Sequence, residues 1–239
     1  MRDPAPVPVH LKDYAPPAFL IETVDLDIDL FEDHARVRSR LAVSRNPKSN
    51  DSNAPLVLDA EELEFVSATL DGKKLAAGDY VLGDAHLTIA KTPARFVLET
   101  ACSITPRRNT KLTGLYAAGS GYFTQCEAEG FRRITYFIDR PDVMAKYSVT
   151  IHADREKYPV LLSNGNLVAG GDEAGARQWV KWQDPFPKPC YLFAMVAAKL
   201  DKLEDQFVTR SGRRVRLAIY VDPGKLDQCA FAMKALINP

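Results

Sequence analysis

The sequence carries no surplus of either charge: 31 Lys and Arg stand against 31 Asp and Glu in 239 residues. That balance speaks against a general nucleic-acid or membrane-surface binder, whose surface carries a basic excess or stripe. No apolar run approaches the roughly 20 residues of a membrane span. The four cysteines, Cys102, Cys126, Cys190 and Cys229, are far apart, which excludes a Cys-x-x-Cys metal or redox pair. With no signal peptide ahead of them, they predict free thiols in a reducing, cytoplasmic compartment. His10, His34, His86 and His152 are equally scattered, so no helical His-x-x-x-His zinc pair is present. Phosphate-cradling glycine loops and a Gly-x-Ser-x-Gly elbow are missing too. Gly119-Ser120-Gly121 lacks the strand-turn-helix context of a nucleophile. Cys126 has no nearby histidine and reads as a small buried side chain.

What is present is alternation. With 46% hydrophobic residues the chain has ample material for a core. Val24, Leu26, Ile28 and Leu30 alternate with Thr23, Asp25, Asp27 and Asp29, which is the period of a half-buried strand. After a turn through Glu32-Asp33-His34, Val37, Leu41 and Val43 alternate with Arg36, Arg38 and Arg40. Pairing Asp29 with Arg36, Asp27 with Arg38 and Asp25 with Arg40 keeps acids opposite bases, as a two-residue shift also does, whereas a one-residue slip puts charges into the core. Short runs follow at Leu56–Leu58, Leu63–Leu70, Tyr80–Leu82, Leu87–Ala90 and Phe96–Cys102, with turns at Asp71-Gly72 and Gly83-Asp84. This spacing predicts an antiparallel β-sandwich.

Other stretches carry punctuation. Pro4, Pro6, Pro8, Pro16 and Pro17 predict an extended surface segment over residues 1–17. Asn46–Pro55 reads as a polar loop, Pro106–Thr113 as a basic loop, and Gly114–Tyr122, with its glycines, as a mobile one. Asp139 ahead of Pro141 predicts a short helix to about Lys146. Strands are predicted at Tyr147–Ala153, Val160–Ser163 and Tyr191–Ala198, a hairpin turn at Asn164-Gly165, and a stiff crossing at Pro185, Pro187 and Pro189. A hairpin from Phe207 to Val221 and an amphipathic helix over Leu226–Ile237 end the chain. A second domain is predicted to begin near Leu200 and to be cut short.

One stretch concentrates chemistry. Thr124–Asp142 (TQCEAEGFRRITYFIDRPD) packs acids, arginines and aromatics between two β-rich halves. Gln125, Glu127 and Glu129 precede Gly130 and the pair Arg132-Arg133, a pattern that suggests a ligand-facing turn. A carboxylate aimed into a cleft is a natural receptor for an ammonium group. Spacing alone leaves a second reading open, in which Arg132 and Arg133 neutralise Glu127 and Glu129 locally and the turn serves structure only.

That stretch, with the later LLSNGN and WQDPFPKPCYLFAMVA and the opening Asp13-Tyr14-Ala15-Pro16-Pro17 and VDLDIDL, resembles the aminopeptidase N family of zinc exopeptidases, in its bacterial cytosolic branch. The resemblance runs along essentially the whole chain. It implies a mainly β, saddle-like N-terminal domain over residues 1–199. Residues 200–239 would be the first hairpin and helix of a truncated thermolysin-like catalytic domain. The family's His-Glu-x-x-His and Gly-x-Met-Glu-Asn motifs do not occur in these residues. Zinc is therefore implied for the complete enzyme and not for this chain, which is expected to be inactive alone. In the complete enzyme the metal polarises the scissile carbonyl and activates water. The family's Gln-x-Glu motif maps onto Gln125 and Glu127. It implies that Glu127 holds the α-amine of a peptide substrate, that Gln125 contacts the substrate beside it, and that Glu129 and Arg132 fix the loop. The implied partners are a peptide and the remaining catalytic domain, with no nucleic acid and no membrane.

Two other readings stand beside this one. A non-catalytic β-sandwich module could bind peptide termini or a partner protein by itself. A carbohydrate-binding sandwich would want an aromatic platform, whereas Trp179 and Trp182, three apart on a strand, point to opposite faces.

Overall fold

The structure, a computed structural model, describes residues 10–237. Strands β1 (Phe19–Leu30) and β2 (Ala35–Arg45) form the predicted hairpin. Its register sets Asp29 against Arg36, Asp27 against Arg38 and Asp25 against Arg40. Val24, Leu26, Ile28 and Leu30 from β1, and Val37, Leu41 and Val43 from β2, are buried on the other face. This alignment satisfies both the hydrophobic period and the charge pairing, which together exclude a one-residue slip.

Strands β3 (Leu56–Asp59), β4 (Glu64–Leu70), β5 (Lys73–Lys74), β6 (Val81–Leu82), β7 (His86–Ile89) and β8 (Arg95–Ile104) fill the short runs. Then come β9 (Gly114–Ala118), β10 (Gly121–Gln125), β11 (Met144–Asp154), β12 (Val160–Ser163), β13 (Asn166–Glu173), β14 (Arg177–Pro189) and β15 (Met195–Ala198). The hairpin β16 (Asp201–Val208) with β17 (Arg214–Val221) and helix α1 (Ala230–Ile237), entered through a 3₁₀ turn at Leu226–Cys229, close the described chain.

The large sheet has eight strands in the order β13-β14-β11-β1-β2-β8-β4-β5. All neighbours are antiparallel except β1 and β11, which run parallel. Sheets β12-β15-β10-β9 and β3-β7-β6 supply further layers, and β16-β17 pairs separately. One buried cluster draws on the large sheet, on Leu56, Leu58 and Leu87 of the three-stranded sheet, and on Leu115, Tyr122 and Met195 of the four-stranded sheet. Phe131, Ile134, Tyr136 and Phe137, between β10 and β11, fill the same core. Phe131 meets Phe137, Tyr147 and Phe193 edge-on at ring centroids 4.9, 5.9 and 5.3 Å apart. The focal stretch is therefore anchored by its aromatics, with its charged residues spaced between them. On its outer face the large sheet bears a cleft of ≈ 460 Å³ lined by Asp25, Asp27, Arg38, Arg40, Glu99 and Lys181 among others. Arg38 pairs there with Asp27 at 2.9 Å, and Arg40 lies 3.7 Å from both Asp25 and Glu99.

The structure departs from the sequence expectations at several points. Gly114–Tyr122 is no irregular loop but the hairpin β9–β10, and its glycines answer to close packing. A Cβ on Gly114, whose φ is +74°, would lie 2.6 Å from the Cβ of Arg133, and one on Gly121 would lie 2.6 Å from that of Ala198. No helix follows Asp139, because its carboxylate turns inward to Arg132 and Cys190 and caps nothing. Asn164-Gly165 joins strands of two different sheets: β12 pairs with β15, and β13 with β14. Asn164 holds that corner through bonds to Leu192 O and Ala194 N. Pro185, Pro187 and Pro189 belong to the end of β14, where β13 has already stopped at the level of Gln183. A missing N–H is tolerated on such an edge. The strand predicted from Tyr191 starts at Met195, after a 3₁₀ turn at Cys190–Leu192. Pro4, Pro6 and Pro8 lie outside the described residues, and Leu11–Asp13 forms one 3₁₀ turn within the segment expected to be extended.

Truncating a side chain at the centre of the hairpin separates the two patterns that set its register. Ile28→Ala, at a fully buried site, is expected to lose about 2–5 kcal/mol of stability. Asp27→Ala, in an exposed pair, is expected to lose less than about 1 kcal/mol. Chemical denaturation of the two variants checks this, and equal losses would contradict it.

Candidate functional site

The site is built where β10 runs out. Thr124 is tied to β15, with Met195 N donating to Thr124 Oγ1 at 2.8 Å. Gln125 ends β10 opposite Gly114 and is exposed. Cys126 turns inward and is buried, and its carbonyl accepts a bond from Gly130 N at 2.8 Å. Glu127, Ala128 and Glu129 make up the exposed turn between those two anchors, with a cis peptide bond between Glu127 and Ala128. Gly130 closes the turn against a wall. A Cβ there would meet Gln125 O at 2.5 Å, Thr113 Oγ1 at 2.7 Å and Cys126 Cα at 2.9 Å.

The two arginines after Gly130 diverge. Arg132 N and Nε both donate to Asp139 Oδ2, at 3.1 and 2.9 Å, and Nη2 reaches Asp139 O at 3.3 Å. The same Nη2 lies 3.4 Å from Glu129 Oε2. Arg133, buried, turns to the other side, where it bonds Thr113 O and pairs with Glu61 and Glu62. Lys111 joins that group at 2.7 Å from Glu61 and 3.2 Å from Glu62. Neither arginine neutralises Glu127. Among the described residues, no cation lies within 4.0 Å of the Glu127 carboxylate, and no hydrogen bond is made to it.

Beneath the turn sits Asp139, 2% exposed. Besides Arg132 it accepts a bond from Cys190 Sγ at 3.0 Å, and its own N–H donates to Asp59 Oδ2 at 2.9 Å. Burial works against the charge on Arg132, but its hydrogen bond to Asp139 and their mutual attraction outweigh burial and raise its pKa. Burial, aided by the nearby Asp139 charge, pushes the Cys126 and Cys190 thiols up. Both stay protonated at neutral pH, which removes Cys126 as a thiolate nucleophile. Ser120 lies in the turn joining β9 to β10.

Of the residues singled out from the sequence, the structure gathers Gln125, Glu127, Glu129 and Arg132 on one turn. It adds Asp59, Glu61 and Glu62 from outside that stretch, and gives Thr124, Arg133 and Asp139 within it contacts that the linear pattern did not assign. Asp139 carried a signal, an acid directly after the apolar run Tyr136-Phe137-Ile138, which the helix-start reading claimed. Among the described residues there is no group of three His, Cys, Asp or Glu placed to hold a metal ion. No helix among them is long and apolar enough to cross a membrane.

The geometry is thus an exposed carboxylate on a wedged turn, carried by a layered, β-rich scaffold. A family model for the peptidase M1 N-terminal domain matches residues 20–192, and the chain belongs to that family. It is 51% identical to aminopeptidase N of Caulobacter vibrioides over 99% of this chain and 27% of that protein. Against aminopeptidase N of Escherichia coli it is 48% identical, over 95% of this chain and 25% of that protein. Among solved structures it is similar to Legionella pneumophila aminopeptidase A in complex with aspartic acid, with a TM-score of 0.90 and 36% identity over 95% of this chain and 27% of that one. A Deinococcus radiodurans M1 zinc metallopeptidase bound to a Tyr-Ser-Ala substrate shares the fold, with a TM-score of 0.70 at 15% identity over 88% of this chain and 49% of that one. The chain thus spans about a quarter of the length of the aminopeptidase N relatives it matches.

Two measurements probe the wedge and the core beneath it. Gly130→Ala is expected to lose about 1–3 kcal/mol of stability by forcing the turn off its wall, read by thermal or chemical unfolding. Iodoacetamide at pH 8 is expected to leave Cys126 and Cys190 unlabelled in the folded chain and to label both after denaturation. Rapid labelling of the folded chain, located by mass spectrometry, would contradict the buried thiols.

Proposed function

We propose that this chain is the substrate-anchoring part of an aminopeptidase that removes N-terminal residues from peptides, with Glu127 as the receptor of the substrate's α-ammonium. The observation that carries the reading is the freedom of Glu127: the neighbouring arginines are engaged elsewhere, and its carboxylate stands exposed on a turn held at both ends. A carboxylate–ammonium contact is a charge-assisted hydrogen bond, roughly twice as strong as a neutral one. Fixing the first residue's amine fixes the first peptide bond with it, and such positioning lowers the barrier for whatever group attacks that bond. A blocked or internal peptide lacks the positive charge and would leave the carboxylate desolvated and unpaired, which selects for a free N-terminus. Gln125, exposed at the end of β10, offers its amide to the same bound residue. Glu129 and Arg132 hold the turn.

The Legionella relative binds aspartic acid, which carries a free α-amine, and this supports the reading. The family and the Deinococcus neighbour bring zinc to the complete enzyme. In this reading the contribution of this chain is substrate placement. Residues 1–199 are assigned to the N-terminal domain and 200–239 to the beginning of the catalytic one, in keeping with the separate pairing of β16 and β17. Buried, widely spaced free thiols support a cytoplasmic setting.

In a full-length enzyme carrying this chain, Glu127→Ala is expected to lower kcat/KM on an aminoacyl anilide by about 2–4 kcal/mol of transition-state binding. Activity within about threefold of wild type would sink the amine-receptor role. Residues 1–239 alone are expected to cleave no anilide and to hold no stoichiometric zinc by metal analysis. A zinc atom per chain would overturn that.

A further inference from the structure

We infer that Arg133 and Thr113 are positioning residues for Glu127: together they clamp both ends of the turn that carries it. The inference rests on the amine-receptor reading and assigns a role to two residues outside that turn. The turn leaves β10 at Gln125 and closes at Gly130, and Thr113 meets it at both places. Its Oγ1 donates to Gln125 O at 3.5 Å, and the same oxygen would lie 2.7 Å from a Cβ on Gly130. Arg133 grips Thr113 and Gly130 at once. Its Nε donates to Thr113 O at 3.1 Å, and its backbone N–H donates to Gly130 O at 3.1 Å. Gly130 N donates in turn to Cys126 O at 2.8 Å. The contacts close a ring through Gln125, Thr113, Arg133, Gly130 and Cys126, and the exposed residues Glu127, Ala128 and Glu129 stand outside it.

The clamp is stiff because every nitrogen of the Arg133 fork is engaged. Its side chain is 3% exposed, Nη1 pairs with Glu61 and Nη2 with Glu62. Asn109 Nδ2 adds a second donor to Thr113 O at 2.7 Å. The backbone around the clamp is strained. Leu112, just before Thr113, and Glu62, one of the two acids on the fork, have φ of +55° and +56°. Residues other than glycine keep that conformation only where their surroundings over-determine it, and such residues gather at functional sites. Arg133→Lys keeps the positive charge beside Glu61 and Glu62. It leaves a single terminal nitrogen, which cannot hold Thr113 O as well. Glu127 would then sit on a turn with one end loosened, and a small misplacement of a group that orients substrate is costly.

The test uses a full-length enzyme carrying this chain, with Arg133→Lys and Glu127→Gln measured side by side. Arg133→Lys is expected to raise KM for an alanyl anilide by more than about threefold while kcat stays within about threefold. Inhibition by alanine hydroxamate is expected to weaken by a similar factor. Inhibition by propionohydroxamate, which has no amine, is expected to hold within about threefold, because only the first engages Glu127. Constants within about threefold of wild type for Arg133→Lys, beside an impaired Glu127→Gln, would overturn the inference alone. Equal weakening by Arg133→Lys of both hydroxamates would also overturn it, since it would mark a general distortion. A Glu127→Gln variant with wild-type constants would remove the amine reading and this inference with it. Should Arg133→Lys fail to fold, Thr113→Val and Thr113→Ser serve instead, the first without the hydroxyl and the second with it. Thr113→Val is expected to show the same split, and Thr113→Ser to return KM to within about threefold of wild type. An unchanged KM in Thr113→Val, or equal impairment of the two variants, would overturn the inference.

Discussion

The carboxylate of Asp139 is the fixed point on which the candidate site depends. A buried, uncompensated carboxylate is untenable, and breaking a buried ion pair by removing one partner costs about 3–5 kcal/mol. The chain meets that constraint with three donors from two directions: two from Arg132 and one from Cys190. The Cys190 bond draws this stretch onto the segment before β15, and the bond from Asp139 N–H to Asp59 draws it onto β3.

Around that point the architecture supplies rigidity. The parallel pairing of β1 with β11 brings the strand that follows the focal stretch into the centre of the large sheet, beside the first hairpin. Thr124, at the other end of the stretch, is tied to β15 of the four-stranded sheet. The turn therefore hangs between two sheets that share one core. Its aromatics, Phe131 and Phe137, sit in that core, so the exposed acids cannot move far without unpacking rings.

Much of this was legible in the linear sequence, and the reasons are physical. The faces of the β1–β2 hairpin were legible because apolar alternation and acid–base pairing agree on them, and both patterns admit the observed register and its two-residue shifts alike. Gln125, Glu127, Glu129 and Arg132 stood out because they share one short turn, which spacing can reveal. Asp139 was misread because capping chemistry and burial call for the same residue type, and only tertiary structure decides where its carboxylate points. Asn164-Gly165 shows the same limit: a sharp bend was legible, but which sheets it joins depends on strands far away in sequence. The glycines of β9–β10 suggested mobility, whereas Gly114 and Gly121 are small so that Arg133 and Ala198 can approach.

The proline-bearing end of β14 has a consequence beyond local geometry. Past Gln183 this strand has no paired strand on its outer side among the described residues, and along such an open margin a sheet normally recruits foreign strands. Pro185, Pro187 and Pro189 withhold the amide hydrogens that a newcomer would need. At the opposite margin the sheet tapers to Lys73–Lys74, two exposed cations in a strand too short to act as a template. Within β13 the bulge at Leu167/Ala169 breaks the regular ladder. A domain made largely of strands is in this way shielded from fibrillar growth at its margins by sequence devices that take no part in its chemistry.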